Sequence, residues 1–463
     1  MQLFEHQRIA LKSCLESDCK LVIRIPGSGK TFIKLKLAEA FCANSKNKVL
    51  FLGPPNLLRQ YIDVFTSNGF EGIGVYSGDS LPPARLIMSS FDMLRLYPTK
   101  ILSIKWDCVI CDEFHRAKNL KTKTNKVLRR LRKKSKRWYA FTGTPFQNSP
   151  YEFFELLSLV SNKDLFSDLE SCLLYKYPAK KSFFRILYEK LTGHRKRLNQ
   201  GPILGVANLK KFRDITKNIV DFLPETRYLS ECKMPCICEE IHNIELTQKE
   251  LIDYKILMKS HKKIKDKDFF CDNLEDDLIS SRFSRMSDLR QFLLSYDKTP
   301  SSKMMAIIND LKIRSCNKNA RILVFSNFVD RGISILNCAL KKEGIPCLQY
   351  TGTISNKERS EILCKFNSGL SKIILLSPVG FEGLDIPIAT DIIVMDPHFN
   401  PERKRQLISR ALRAFSGNKT VNISHYISIS HALKMGTVDE AIMRISVRKD
   451  FVNSEIKKAL LSS

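Results

Sequence analysis

The sequence has no run of about 18 apolar residues, the length that a membrane-crossing helix needs, so no membrane span is expected. Its start, Met1-Gln2-Leu3-Phe4-Glu5-His6-Gln7, lacks a basic stretch followed by an apolar core, and no secretory leader is expected. The 14 cysteines show no repeated spacing. That argues against a disulfide framework and for reduced thiols in an intracellular compartment. Fixed-period repeats and low-complexity tails are missing too, which excludes solenoids and disordered scaffolds. Acidic residues are scarce beside basic ones: 48 against 76, a formal net charge of +28. Such an excess favours a polyanionic partner, nucleic acid ahead of a membrane surface. A purely structural nucleic-acid binder would share it, so charge selects a partner class and no reaction.

With 463 residues, 43% apolar and 27% charged, the chain is globular in composition and too long for one core. In the first third, short apolar strands alternate with helical spacing: 20–25, 49–52, 86–88, 108–111 and 138–141 read as strands, and 31–43 as a helix. The rhythm is lost between 161 and 299 and returns afterwards, with strands at 321–325, 346–350, 372–376 and 391–395. Alternation of this kind predicts an α/β fold with parallel sheets covered on both faces. The expected organisation is a first lobe over 1–162, a helical insert and linking region over 163–300, a second lobe over 301–430 and a C-terminal helical segment over 431–463.

The chemistry concentrates at strand ends. Gly27, Ser28 and Gly29 follow the first strand and open a helix, where backbone N–H groups and the helix dipole favour phosphate. Lys30 is placed to reach β- and γ-phosphates, and the Thr31 hydroxyl to ligate Mg²⁺. The longer phosphate-loop pattern asks for glycine where Arg24 stands. Asp112 and Glu113 end an apolar strand. The first suits the surroundings of the metal and the second the polarisation of an attacking water. His115 reads as a link from that site to the second lobe. Gly383 and Asp385 sit in a glycine-containing loop after a strand, suited to close approach to phosphates. Gln406, Arg410 and Arg413 share a helix face, and arginines projected from one lobe onto the nucleotide of another stabilise the charge of phosphoryl transfer.

Other features have plainer readings. Cys108 and Cys111 are expected to be core thiols. Cys232, Cys236, Cys238 and His242 form a candidate zinc set of no standard spacing, equally compatible with strand alternation. The basic run over 121–137 is expected to be a solvated helical face, with direct nucleic-acid contact as its alternative.

In order and wording these motifs resemble the Swi/Snf-like ATPase family of superfamily 2 helicases. The residues that carry the resemblance are Gln7, 26–31, 52–58, 89–92, Asp112-Glu113-Phe114-His115, Thr142-Gly143-Thr144-Pro145-Phe146-Gln147-Asn148, Leu323-Val324-Phe325-Ser326, Tyr350-Thr351-Gly352 and Asp396-Pro397-His398-Phe399-Asn400-Pro401. The resemblance implies two RecA-like P-loop lobes with ATP and Mg²⁺ between them. Gln7 would read adenine, and Thr142 and Thr144 would relay the nucleotide state. Pro55, Asn56, Ser90, Thr351 and Gly352 would touch nucleic acid, with double-stranded DNA favoured. The implied activity is that of a DNA-dependent ATPase acting as a monomeric translocase, with a polymerase or nucleoprotein as a further partner. The arginine motif departs from the family in lacking its histidine and its trailing Gly-Gln, and 210–213 replaces its paired-arginine element. With no length for a chromodomain, bromodomain or nucleosome-binding module, a minimal, viral-type member similar to the poxvirus nucleoside triphosphatase I group is expected. A strand-separating RNA or DNA helicase is the alternative. A non-hydrolysing binder or a P-loop kinase leaves more of the motifs unused.

Overall fold

A computed structural model describes residues 3–25, 27–120, 122–146, 149–175, 203–224, 235–260, 286–378, 386–411 and 420–461. The first lobe is built on β1 (Cys19–Ile23), β2 (Val49–Gly53), β3 (Ile73–Val75), β4 (Leu86–Ser90), β5 (Trp106–Cys111), β6 (Ser135–Thr142) and β7 (Val220–Phe222). They pair in the order β3-β4-β2-β5-β6-β1-β7, every pair parallel. The second lobe holds β8 (Cys236–Glu245), β9 (Ile322–Phe325), β10 (Leu348–Tyr350), β11 (Ile373–Leu376), β12 (Asp391–Val394) and β13 (Thr420–Ile429). Their order is β8-β13-β12-β9-β11-β10, again wholly parallel. Two parallel-sheet α/β lobes are what the alternation predicts.

The strands are apolar throughout because both faces are covered. Leu50 and Leu52 of β2 enter the core on one face, and Val49 and Phe51 enter the core on the other. The same alternation separates the two thiols of β5. Cys108 points to the second core and Cys111 to the first, so the C-x-x-C spacing brings no sulfur pair together. Burial raises both thiols well above the ordinary range.

The central segment departs from the expected helical insert. Its described residues include strands, and they join both lobes: β7 extends the first sheet beside β1, and β8 extends the second beside β13 over ten residue pairs. Val220-Asp221-Phe222 is too short to announce a strand by periodicity; the open edge of β1 gives it its partner.

The helix Val438–Leu461 has 24 residues and so runs about 36 Å at 1.5 Å per residue. Val438, Ala441, Ile442 and Ile445 pack in a cluster with Tyr254, Leu289 and Phe292. Further along, Val452, Ile456, Ala459 and Leu460 enter the core of the first lobe. A buried Lys303–Asp439 pair at 2.7 Å holds its start, and Asn453 Nδ2 donates to the Phe146 carbonyl at 3.3 Å. One helix therefore straps the two lobes. Among the described residues no helix is long and apolar enough to cross a membrane.

Truncating a fully buried anchor of the strap leaves a cavity and loses transfer energy. Ile456→Ala is expected to cost about 2–5 kcal/mol and to expose the C-terminal helix to limited proteolysis, with thermal melting reporting the loss. An unchanged melting profile would show that the helix is not docked on the first lobe.

Candidate nucleotide site and the cleft between the lobes

Polar chemistry collects at the carboxyl ends of both sheets. After β1 the chain turns through Gly27 and Gly29 at φ 86° and 72°, conformations that L side chains rarely adopt. A Cβ at Gly29 would overlap the Gln7 amide. Gln7 is buried against this loop: its Nε2 donates to the carbonyls of Ser28 and Gly29 at 3.3 Å each, while its Oε1 accepts from Phe4 N–H at 3.0 Å. His6 Nε2 lies 3.2 Å from the Ser28 carbonyl. Lys30 opens the next helix, and its Nζ donates to the carbonyls of Arg24 and Ile25 at 3.1 and 3.2 Å. The ammonium is thus held over the mouth of the loop. Ser28 Oγ is buried without a hydrogen-bond partner among the described residues.

Arg24, where the longer pattern has glycine, turns away from the loop. It forms a buried ion pair with Asp221 of β7, and its Nη1 donates to the carbonyls of Ile23 and Asp221 at 3.0 Å each. The departure therefore fastens the base of the phosphate loop to a strand of the central segment. Sequence reasoning missed the pairing, because 197 residues separate the partners.

β5 delivers Asp112 and Glu113. Asp112 is 4% exposed. Its Oδ2 accepts from Lys34 and Tyr61, and its Oδ1 is buried with no partner among the described residues. A buried carboxylate oxygen with free lone pairs, on a carboxylate paired with Lys34 of the helix that Lys30 opens, fits a hydrated divalent cation. Glu113 stands at φ 47°, ψ 48°, a left-handed conformation that costs a non-glycine residue about 1–2 kcal/mol. Its Oε2 lies 3.3 Å from His115 Nδ1. The same nitrogen lies 3.3 Å from Thr142 Oγ1 and 3.3 Å from Thr144 Oγ1. Because a carboxylate only accepts, we assign the hydrogen to Nδ1. Thr144 N–H donates to Thr142 Oγ1 at 3.1 Å, and Gln406 Nε2 of the second lobe donates to Thr144 Oγ1 at 3.3 Å. Glu113, His115, Thr142, Thr144 and Gln406 thus form one connected run from the first lobe to the second.

Gln406 lies on the helix Pro401–Ala411, and position 410 is one turn further along the same helix face. The Arg410 side chain, Arg413, Gly383 and Asp385 lie outside the described residues, as do the Asn56 side chain and Cys232. Pro55 is exposed at the start of a short helix after β2, and Gly352 is exposed after β10. Ser90 is buried, its hydroxyl taken up in capping the helix Phe91–Leu96 by accepting from Met93 N–H at 3.0 Å. Thr351 is buried and bonded to Thr353 at 2.8 Å, and Arg359 donates to the carbonyls of Thr351 and Gly352.

Several cations of the basic run serve the first lobe itself. Arg129 pairs with Glu155, Lys136 with Asp107 and Arg137 with Asp18, while Arg132 donates to the Val160 and Ser135 carbonyls. Arg130 and Lys133 remain exposed. On β8, the His242 ring stacks on Tyr426 at 4.7 Å, and Cys236 and Cys238 are exposed. No group of three metal-ligating side chains that could hold an ion occurs among the described residues.

In the second lobe Asp396 is fully buried and accepts from Ser326 Oγ at 2.6 Å, from Asn327 and from Arg290 at 3.5 Å. Next to it, His398 Nδ1 accepts from Asn400 N–H at 2.9 Å. Burial first, then the charge of Arg403, pushes His398 down to about 3. A cavity of about 330 Å³ opens between the lobes, reaching from Ile25 and Thr144 to Asp396, His398 and Ile408.

A glycine loop and an acidic strand end in one parallel-sheet lobe, facing the Gln406 helix of the other, make the arrangement of a helicase-type core. Comparison with known families agrees. An SNF2-related domain matches residues 82–293, a helicase conserved C-terminal domain matches 302–415, and the type III restriction enzyme res subunit matches 1–147. The chain thus carries an SNF2-related domain followed by a helicase conserved C-terminal domain. The DNA repair and recombination protein RAD54B of Gallus gallus is 25% identical over 90% of this chain and 48% of its own length. The RAD54-like protein of the same species is 22% identical over 97% and 67%. L538 of Acanthamoeba polyphaga mimivirus, named for ATP-dependent RNA helicase activity, is 23% identical over 96% and 94%. The chain thus spans about half to two thirds of the RAD54 relatives. The solved SWI2/SNF2 ATPase core of Sulfolobus solfataricus, a complex with dsDNA, aligns over 100% of this chain and 95% of its own, with a TM-score of 0.43 and 20% identity.

His398 gives a pH prediction. Its folded value lies below its unfolded one, so its contribution to stability is fully present above about pH 6.5 and is lost as pH falls towards 3. The loss is up to about 1.4 kcal/mol per pH unit. In His398→Asn the side-chain carbonyl can still accept the Asn400 N–H. The variant is expected to flatten this part of the melting-temperature profile, and an unaltered slope would show that His398 is not the titrating group.

Proposed function

We propose that the chain is a DNA-dependent ATPase that hydrolyses ATP to ADP and phosphate between its lobes and uses the cycle to move along double-stranded DNA. The observation that carries this reading is the run from Glu113 through His115, Thr142 and Thr144 to Gln406. It joins the carboxylate suited to activating water with the helix that bears the arginine motif. The phosphate loop binds the triphosphate through its N–H groups and Lys30. Thr31 and Asp112 would hold Mg²⁺, which would neutralise phosphate charge when bound. Glu113 orients water and takes its proton, and Arg410 and Arg413 stabilise charge from the second lobe when the cleft closes. Thr142 and Thr144 transmit the state of the site, and the exposed Pro55 and Gly352 edges are candidate backbone contacts.

The charge of +28 and the RAD54 relatives, named for DNA repair and recombination, support DNA as the polyanion. The mimivirus relative, whose length the chain nearly matches, favours a second reading: a strand-separating helicase acting on RNA.

Steady-state ATPase activity, measured alone and with duplex DNA, single-stranded DNA and RNA at two salt concentrations, distinguishes these. Stimulation mainly by duplex DNA is expected, falling as salt rises. Glu113→Gln is expected to lower kcat by about 10²- to 10⁴-fold, and Lys30→Ala to abolish stimulation. Preference for RNA would select the second reading. Wild-type rates in Glu113→Gln would remove the assigned base.

A further inference from the structure

Lys34 lies one helical turn beyond Lys30 and is 1% exposed. Its ammonium pairs with Asp112 Oδ2, and the Tyr61 hydroxyl donates to that same oxygen. Aromatic rings surround Nζ: Tyr61 at 4.7 Å, with Phe51 and Phe141 each at 5.9 Å. They come from three elements, the helix Leu58–Ser67, β2 and β6. Three ring contacts and a carboxylate make a cation cage, and its occupant is a lysine of the chain itself. At this depth Lys34 is withheld from any phosphate.

The other oxygen of the same carboxylate has a different environment. Oδ1 is buried and has no hydrogen-bond partner among the described residues. Two donors on one oxygen and none on the other is a one-sided arrangement for a buried acid, because unpartnered acceptors are unfavourable in the interior. It is the arrangement expected of a metal-site carboxylate oriented by groups behind it. We propose that Lys34 and Tyr61 are positioning residues: by taking Oδ2 they fix the rotation of the Asp112 carboxylate and reserve Oδ1 for the hydrated metal that accompanies the nucleotide. The inference rests on the nucleotide-hydrolysing reading above. The competing role is structural, a buried pair that fastens the helix Lys30–Cys42 to β5 and does nothing for the metal.

The two roles separate in binding. Affinity of the full chain for a fluorescent ADP analogue is measured with excess Mg²⁺ and with EDTA, beside a thermal melt of each variant. Wild-type protein is expected to bind more tightly with Mg²⁺. Tyr61→Phe, which keeps the ring under the ammonium, is expected to reduce that gain by about tenfold while affinity in EDTA stays within about twofold. Lys34→Met is expected to act in the same direction, and if it fails to fold Tyr61→Phe decides alone. Equal losses with Mg²⁺ and with EDTA, or an undiminished gain, would overturn the proposal and leave a structural pair. Wild-type protein that binds no nucleotide would overturn the hydrolase reading and this one with it.

Discussion

A parallel strand covered by helices on both faces can offer a polar side chain to a ligand only past its last buried residue. The central five strands of the first lobe obey that constraint along their carboxyl-terminal parts. β2 and β4 are buried from end to end, and β5 places Val109, Ile110 and Cys111 at 0% exposure immediately before Asp112. The phosphate loop after β1, the carboxylates after β5 and the threonines around the end of β6 therefore converge without any interaction among them having to draw them together. Sheet order does the rest, since β5, β6 and β1 are neighbours. Interior packing thus decides where the chemistry stands, and the left-handed backbone at Glu113 is a local cost that the surrounding core can bear.

This also explains which parts of the site were legible in the sequence. Gly27 to Thr31, Asp112 and Glu113, and Thr142 and Thr144 each lie within a few residues of a strand end, so spacing along the chain reports their position in space. Lys34, Tyr61 and Asp221 are different. Their partners lie 78, 51 and 197 residues away, and no local pattern encodes a contact between them. Lys34 offered only a weak hint, a charged residue four positions after Lys30 and flanked in sequence by the buried Ile33 and Leu35. The basic run illustrates the reverse error of emphasis. Counted along the chain it looks like one charged surface, whereas Arg129, Arg132, Lys136 and Arg137 each have a separate partner within the lobe. Among the strands of the central segment, Val220–Phe222 was missed because it is an edge strand whose existence depends on the open edge of β1, whereas the alternation around Cys236 and Cys238 left a strand open there as one reading.

The contacts that join the lobes fall into two energetic classes. Apolar anchors at the far end of the strap, among them Val452 and Ile456 at 2% and 0% exposure, contribute on the scale of large-to-small core substitutions, about 2–5 kcal/mol each. Polar contacts in the cleft are weaker. Arg405 pairs with Asp450 and Glu402, and Lys457 with Glu402 at 3.2 Å, but the Arg405, Asp450 and Lys457 side chains keep 35%, 44% and 24% of their exposure. The Arg405–Asp450 pair, partly exposed on both sides, contributes about 0–1 kcal/mol, whereas the buried Glu402 is costlier to leave unpaired. The single Gln406–Thr144 hydrogen bond contributes about 0.5–1.5 kcal/mol.

The difference in scale matters for what a ligand in the cleft has to do. Rearranging the cleft means exchanging contacts worth about 1 kcal/mol each, which a charged ligand's own ion pairs and hydrogen bonds can replace. Moving the second lobe off the strap would mean exposing core leucines, isoleucines and valines, which no such ligand replaces. The fold therefore confines change to the face where Thr144 meets Gln406 and where the cavity of about 330 Å³ leaves room for it. Glu402 sits at that boundary. It is 2% exposed, lies on the Gln406 helix, and is held at once by Arg405 of its own helix and by Lys457 of the strap. A displacement of the Gln406 helix relative to the first lobe draws Glu402 away from Lys457, whose neighbours Ile456 and Ala459 are docked in that lobe, and losing a partner of a buried carboxylate is costly. Glu402 thus ties the arginine-motif helix to the stretch of the strap that is docked on the first lobe, and that tie is what a movement of the helix past Thr144 has to exchange.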